Sequence, residues 1–156
     1  MNSNKKILAI MGSSKTGNTT ELVKYFEKSI ANYGNVDFEY LYLSDYGLPF
    51  CTGCHNCIYI GEEKCPHYNI VKEIEQKMLD SDAVILASPG YMYSVTGIMK
   101  NFLDHVAYNC HRPKYFGKKI MLISSCTKWL TKSVFTPMET WAGAAGFSNI
   151  EKRMQQ

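Results

Sequence analysis

The stretch Lys6-Ile7-Leu8-Ala9-Ile10-Met11-Gly12-Ser13-Ser14-Lys15-Thr16-Gly17-Asn18-Thr19-Thr20 decides the reading of this chain. Ile7 to Met11 form a continuous apolar run, the pattern of a strand buried on both faces at the centre of a parallel sheet. Gly12 stops it, and from Asn18 onward Leu22, Val23, Phe26 and Ile30 recur at helical spacing until Tyr33-Gly34-Asn35 ends the pattern. A buried strand, a loop rich in glycine and hydroxyls, and a helix start make a cradle for phosphate. Glycines permit the tight turn, hydroxyls donate to phosphate oxygens, and unpaired N–H groups at the helix start face the anion. The candidate contacts are Ser13, Ser14, Thr16, Gly17, Asn18 and Thr19.

Other cradles fail on single residues. A nucleoside-triphosphate loop needs lysine after its second glycine, and this chain has Asn18. A dinucleotide fingerprint needs glycine where Ser14 stands. A phosphatase loop needs a nucleophilic cysteine, and no cysteine precedes Cys51. What remains suits a phosphomonoester dianion held by neutral hydroxyls and amides, although the same residue types also serve as helix caps without any ligand.

Outward from this loop, strands and helices alternate. A second strand is expected at 37–43, and Ile70, Val71, Ile74, Met78 and Leu79 mark a second helix. Ala83 to Ser88 reads as a third buried strand stopped by Pro89-Gly90, and Ile98, Met99, Phe102, Leu103 and Val106 as a third helix. A fourth strand spans 120–123. Thr136-Pro137-Met138-Glu139 carries the N-cap, N1 proline and N3 glutamate of a capping box, which predicts a helix starting there. A short strand near 149–152 closes the series, and no helical pattern follows it. Right-handed crossovers then give an α/β doubly wound fold with a five-stranded parallel sheet, whose ligand lies beyond the carboxyl ends of strands one, three and four.

The 156 residues suit one domain, and 46% hydrophobic with 20% charged residues is ordinary globular composition. The formal charge of +3 is spread without a dense basic run, so nucleic acid is not an implied partner. The opening apolar run is too short for a signal h-region or a membrane span, and a soluble cytoplasmic protein with no membrane partner is expected.

The loop Ser88-Pro89-Gly90-Tyr91-Met92-Tyr93-Ser94, with Gly97-Ile98-Met99-Lys100-Asn101-Phe102-Leu103-Asp104-His105 after it, resembles the S-P-x-Y and M-K-x-F-x-D-R signature of the NAD(P)H-dependent FMN reductases. Gly12-Ser13 with Gly17-Asn18-Thr19 resembles that family's phosphate loop, and Ser14-x-Thr16-Gly17-x-Thr19 that of flavodoxin. His111-Arg112-Pro113 and Gly117-Lys118-Lys119 also resemble the family. The resemblance implies a flavodoxin-like fold of strand order 2-1-3-4-5 and FMN as cofactor. Pro89, Gly90, Tyr91, Met92, Tyr93 and Ser125 would then lie beside the flavin ring. It also implies NAD(P)H as co-substrate and a homo-oligomer, dimer or tetramer. Gly90 stands where the family has a bulkier residue, which is expected to loosen the wall beside the flavin, and His105 stands in place of arginine.

Cys51-x2-Cys54-x2-Cys57-x7-Cys65-Pro66 lies in an insertion at about 50–67. Two-residue spacings let thiolates converge on one centre, with a fourth ligand returned by a short excursion. The motif resembles that of the iron-sulfur flavoproteins, a branch of the same family carrying [4Fe-4S]. His55 and His67 also permit zinc, and free thiols without a metal are a further alternative. Three functions follow. One is an NAD(P)H-dependent oxidoreductase reducing flavin, quinone or a similar small-molecule acceptor, with no catalytic acid or base needed because FMN supplies the chemistry. Another is an iron-sulfur flavoprotein exchanging electrons with a ferredoxin-like protein. The third is a zinc-bearing module without turnover. A receiver-type signalling domain is disfavoured, since Met11-Gly12-Ser13 lacks the acidic residues of a magnesium site.

Overall fold

In the computed structural model, which describes residues 4–155, the alternation closes into the expected flavodoxin-like sheet. Its strands are β1 (Lys5–Met11), β2 (Val36–Tyr42), β3 (Ala83–Ala87), β6 (Lys119–Ser125) and β7 (Ser148–Gln155), in the order β2-β1-β3-β6-β7. Counted along the sheet this is 2-1-3-4-5. All four pairings are parallel, and the inner strands β1 and β3 are the continuous apolar runs, because a strand covered on both faces has no polar side to show. At Asn149, φ is +53° and the register between β6 and β7 shifts by one residue. Asparagine tolerates this left-handed conformation, and the bulge it makes sets the edge strand's pairing.

One face of the sheet, Ile7, Ala9, Met11, Ile85 and Ile123, packs on α1 (Asn18–Ile30) through Leu22, Val23, Phe26 and Ile30. The other face, Leu8, Ile10, Val84, Leu86, Ile120 and Leu122, packs on α3 (Tyr68–Leu79), α4 (Gly97–His105) and α5 (Thr131–Ala144). Two short elements had no clear sequence signal. These are a single turn, α2 (Asn56–Tyr59), inside the cysteine segment, and a hairpin of β4 (Gly90–Tyr91) and β5 (Ser94–Val95).

The capping box at Thr136 does not form. Helix α5 begins at Thr131, Pro137 lies inside it, and the Thr136 hydroxyl donates to the Lys132 carbonyl at 2.7 Å. An interior proline costs about 3 kcal/mol. Starting the helix at Pro137 would instead have taken Val134 and Phe135 off a face that buries them with Met138, Trp141 and Ala142. Each large apolar side chain contributes roughly 1.5–3 kcal/mol on burial, so packing overrides the local signal. Among the described residues, no helix is long and apolar enough to cross a membrane.

Candidate functional site

The carboxyl ends of β1, β3 and β6 are stitched together by buried backbone and hydroxyl groups. Gly12 N donates to the Ala87 carbonyl at 2.8 Å, and Ser88 N donates to that of Ile123 at 3.0 Å. Thr96, the N-cap of α4, donates its hydroxyl to the Gly12 carbonyl at 2.7 Å, while its own N–H donates to Ser88 Oγ at 3.0 Å. Gly12 is the residue that lets these parts meet, since a Cβ there would lie 2.7 Å from Cβ of Met99. The first loop is thus fixed by the sheet rather than left to fold over it.

Above this junction opens a cavity of about 510 Å³. One wall is the first loop: Ser13, Ser14, Thr16, Gly17, Asn18 and Thr19. Gly17 adopts φ +126°, a conformation reserved for glycine, and turns the chain into α1 without a side-chain cap on the helix. Because no hydroxyl caps the helix, the simple capping role that these residues allowed does not operate. The leading N–H groups of α1 stay available to an anion in the cavity. The hydroxyls brace one another instead. Thr20 donates to the Ser14 carbonyl at 2.8 Å, Ser14 donates to the Thr16 carbonyl, and the hydroxyls of Thr19 and Ser125 share a hydrogen bond of 2.5 Å. Lys15, the cation of the loop, is drawn off to Asp45 at 2.9 Å, so the cradle itself is neutral.

The opposite wall is Pro89, Gly90, Tyr91 and Ser125. Gly90 tightens this wall, contrary to the sequence expectation. A Cβ there would lie 2.6 Å from Cβ of Cys126 and 2.8 Å from Val134, which leaves room only for glycine. Met92 and Tyr93 do not line the cavity; they form the exposed tip of the β4–β5 hairpin, both with positive φ. Three further residues line the cavity, Cys126, Thr127 and Leu130. The strand-end rule was signal enough for the first two, which directly follow β6. Leu130 is brought in by the early start of α5 and has no local signal.

Helix α4 runs from this cavity, where Thr96 caps it, to the cysteine segment, where His105 ends it, a rise of about 14 Å. Asn101 donates to the carbonyls of Leu48 and Pro49 at 3.1 and 3.0 Å and accepts from Cys51 N at 3.0 Å. One turn later His105 Nε2 lies 2.9 Å from the Pro49 carbonyl. From the other side Arg112 donates to the carbonyls of Cys57 and Ile58 and pairs with Glu62 at 3.2 Å. Lys114 bridges Glu62 to the buried Glu75, which also accepts from Asn109 and the phenols of Tyr108 and Tyr115. Burial pushes the Cys57 thiol pKa up, and the neighbouring Cys65, Cys51 and Cys54 push it further. Among the described residues, Cys65 is the one member of the four that stands in a group of three ligand atoms within 4.8 Å of one another, and its companions there are His67 and His105. Cys51 and Cys54 are exposed; Cys57 and Cys65 are half-buried. His55 is exposed beside Tyr59.

Comparison with known proteins bears on the family and the fold. A family model described as NADPH-dependent FMN reductase matches residues 5–134. An iron-sulfur flavoprotein of Archaeoglobus fulgidus is 37% identical over 114 residues, covering 72% of this chain and 50% of that protein. Another from Methanocaldococcus jannaschii is 39% identical over 100 residues, covering 64% of this chain and 50% of its own length. The chain therefore spans about half the length of these curated relatives. An azoreductase from Bacillus anthracis superposes with a TM-score of 0.73 over 96% of this chain and 86% of its own, at 15% identity, which is a likeness of fold.

Proposed function

The chain belongs to the NADPH-dependent FMN reductase family, and from that premise we propose that it is an FMN-binding, NAD(P)H-dependent oxidoreductase acting on flavin, quinone or similar acceptors. The observation that carries the reading is the cavity at the three strand ends, where an uncapped helix N-terminus, a neutral hydroxyl loop and the Pro89–Tyr91 edge converge. In this reading the cradle receives a dianionic phosphate ester and the space between the two walls a planar ring. In the proposal, Ser13, Ser14, Thr16, Gly17, Asn18 and Thr19 hold the phosphate, while Pro89, Gly90, Tyr91 and Ser125 flank the ring. Met92 and Tyr93, at the hairpin tip, would meet the ring's outer edge or a second subunit. FMN, when bound, supplies the hydride-accepting chemistry; the chain contributes binding, orientation and a neutral electrostatic setting. The test is titration with FMN followed by anaerobic stopped-flow mixing with NADH and with NADPH. Saturable binding and flavin reduction by either nucleotide are expected; an oxidised flavin after both overturns the assignment.

A second reading rests on the spacing Cys51-x2-Cys54-x2-Cys57-x7-Cys65 in a segment that Asn101, His105 and Arg112 fasten beside α4. Under it these thiolates hold a [4Fe-4S] cluster and α4 spans the gap to the flavin, so that a ferredoxin-like partner exchanges electrons with the protein. The names of the archaeal relatives support it. Iron and acid-labile sulfide in anaerobically reconstituted protein are its test, and their absence rejects it.

A further inference from the structure

Two segments at the rim of the cavity expose large side chains that neither the core nor the phosphate cradle uses. The first is the β4–β5 hairpin. Its register pairs Gly90 with Val95 and Tyr91 with Ser94, so Met92 and Tyr93 alone make the turn. Both adopt positive φ, +44° and +62°. A two-residue turn of this kind calls for Asn-Gly or a similar pair, because in that conformation a Cβ crowds the neighbouring carbonyl. Met92 and Tyr93 carry this strain while 90% and 71% exposed, so packing within the chain does not offset it. Strain held at an exposed tip points to a use for the side chains it presents.

The second segment is a single 3-10 turn after β6, Lys128–Leu130. Thr127 and Leu130 line the cavity. The turn is fixed there: Leu130 N donates to the Thr127 carbonyl at 2.9 Å, and the Thr131 hydroxyl donates to that of Lys128 at 2.7 Å. Trp129, at its centre, is 90% exposed. The other tryptophan of the chain shows the ordinary placement, since Trp141 is buried and its Nε1 donates to the Val106 carbonyl at 3.0 Å. The two segments meet at their roots, where a Cβ on Gly90 would lie 2.6 Å from Cβ of Cys126. Tyr91 and Thr127 continue each from the cavity wall to its exposed tip. We propose that Met92, Tyr93 and Trp129 form an entry subsite where a planar, electron-poor ring stacks on its way to the cavity. The nicotinamide of the donor and the ring of a quinone-type acceptor share that chemistry. The inference rests on the flavin reading above and gives its second reactant a place. Indole and phenol faces are electron-rich and hold such rings more strongly than buried area alone accounts for, while a thioether adapts to rings of different outline.

The full chain loaded with FMN is mixed in stopped flow with NADH or NADPH. Once reduced, it is mixed with menadione, a planar quinone, or with ferricyanide, which has no ring to stack. Trp129→Ala should raise the half-saturating concentration of a planar reactant at least about tenfold, with limiting rate, FMN affinity and ferricyanide rate within about twofold. Trp129→Phe keeps an aromatic face and should recover most of the loss. Loss confined to the nucleotides makes the subsite the donor's; loss confined to menadione makes it the acceptor's. The double variant Met92→Asn/Tyr93→Gly adds a readout without turnover. Relieving the turn should raise the melting temperature by at least about 2 °C, while the reactant that Trp129→Ala weakens is weakened again. The inference is overturned if Trp129→Ala leaves every planar reactant within about twofold, or slows ferricyanide as much as menadione. It is overturned equally if the double variant gains no stability, or if either variant changes the oligomeric state in light scattering, which gives the tips to a second copy. Unsubstituted protein that takes up no FMN, or whose FMN stays oxidised with both nucleotides, rejects the flavin reading instead.

Discussion

The loop at 12–20 and the cysteine segment are both irregular and both carry proposed ligand contacts, but they are held in opposite ways. The loop at 12–20 is braced by its own residues and by the strand ends it grows from, through Gly12, Ser14 and Thr20. The cysteine segment makes little structure of its own beyond α2, and is pinned by side chains more than forty residues away in the chain, Asn101, His105 and Arg112. A loop tethered to the sheet shares the sheet's stability, whereas a segment tethered by side chains opens at the cost of those few contacts. The first arrangement suits a site that must keep a fixed geometry. The second suits a segment ordered further by whatever its thiols bind.

The sharpest way to break the phosphate side without disturbing the rest is to place a negative charge in it. Thr16→Asp sets a carboxylate against the phosphate, and like charges near 4 Å at a protein surface repel by up to about 4 kcal/mol. FMN affinity should fall about 100-fold or more with the melting temperature unchanged, measured by fluorescence titration and thermal unfolding. Next in size is Gly90→Val. It forces Cβ into Cys126 and Val134, should cost about 1–3 kcal/mol in urea unfolding, and should loosen FMN as the wall shifts.

The cysteine segment should respond to changes that leave the cavity alone. Asn101→Ala removes three hydrogen bonds that fasten residues 48–51 and should cost about 1–3 kcal/mol. Amide exchange across 48–67 should accelerate while FMN affinity stays within about twofold; acceleration in the phosphate loop as well would mean that the two regions are not independent.

The smallest effect is that of pH. Burial pushes the Glu62 carboxyl pKa up, but Lys114 and Arg112 outweigh it and hold the pKa below the usual 4.5. A carboxyl depressed on folding adds stability above its unfolded pKa and loses it as pH falls through the folded value. Glu62→Gln should therefore flatten the acid limb of the stability profile below pH 4.5. For a partly exposed ion pair the change should be less than about 1 kcal/mol.

Periodicity by itself determined the alternation of strands and helices and the parallel sheet, because each element depends on neighbours a few residues apart, while the strand order 2-1-3-4-5 came with the resemblance to the FMN reductases. Only the tertiary structure decided the rest. Pro137 sits inside α5 because the buried face of that helix outweighs a capping signal. Gly90 narrows the site because Cys126 and Val134 approach it from distant segments. His105 meets Cys65 and His67 because α4 ends there, forty residues on. Contacts of that range are set by how whole elements pack, and no window of sequence contains both partners.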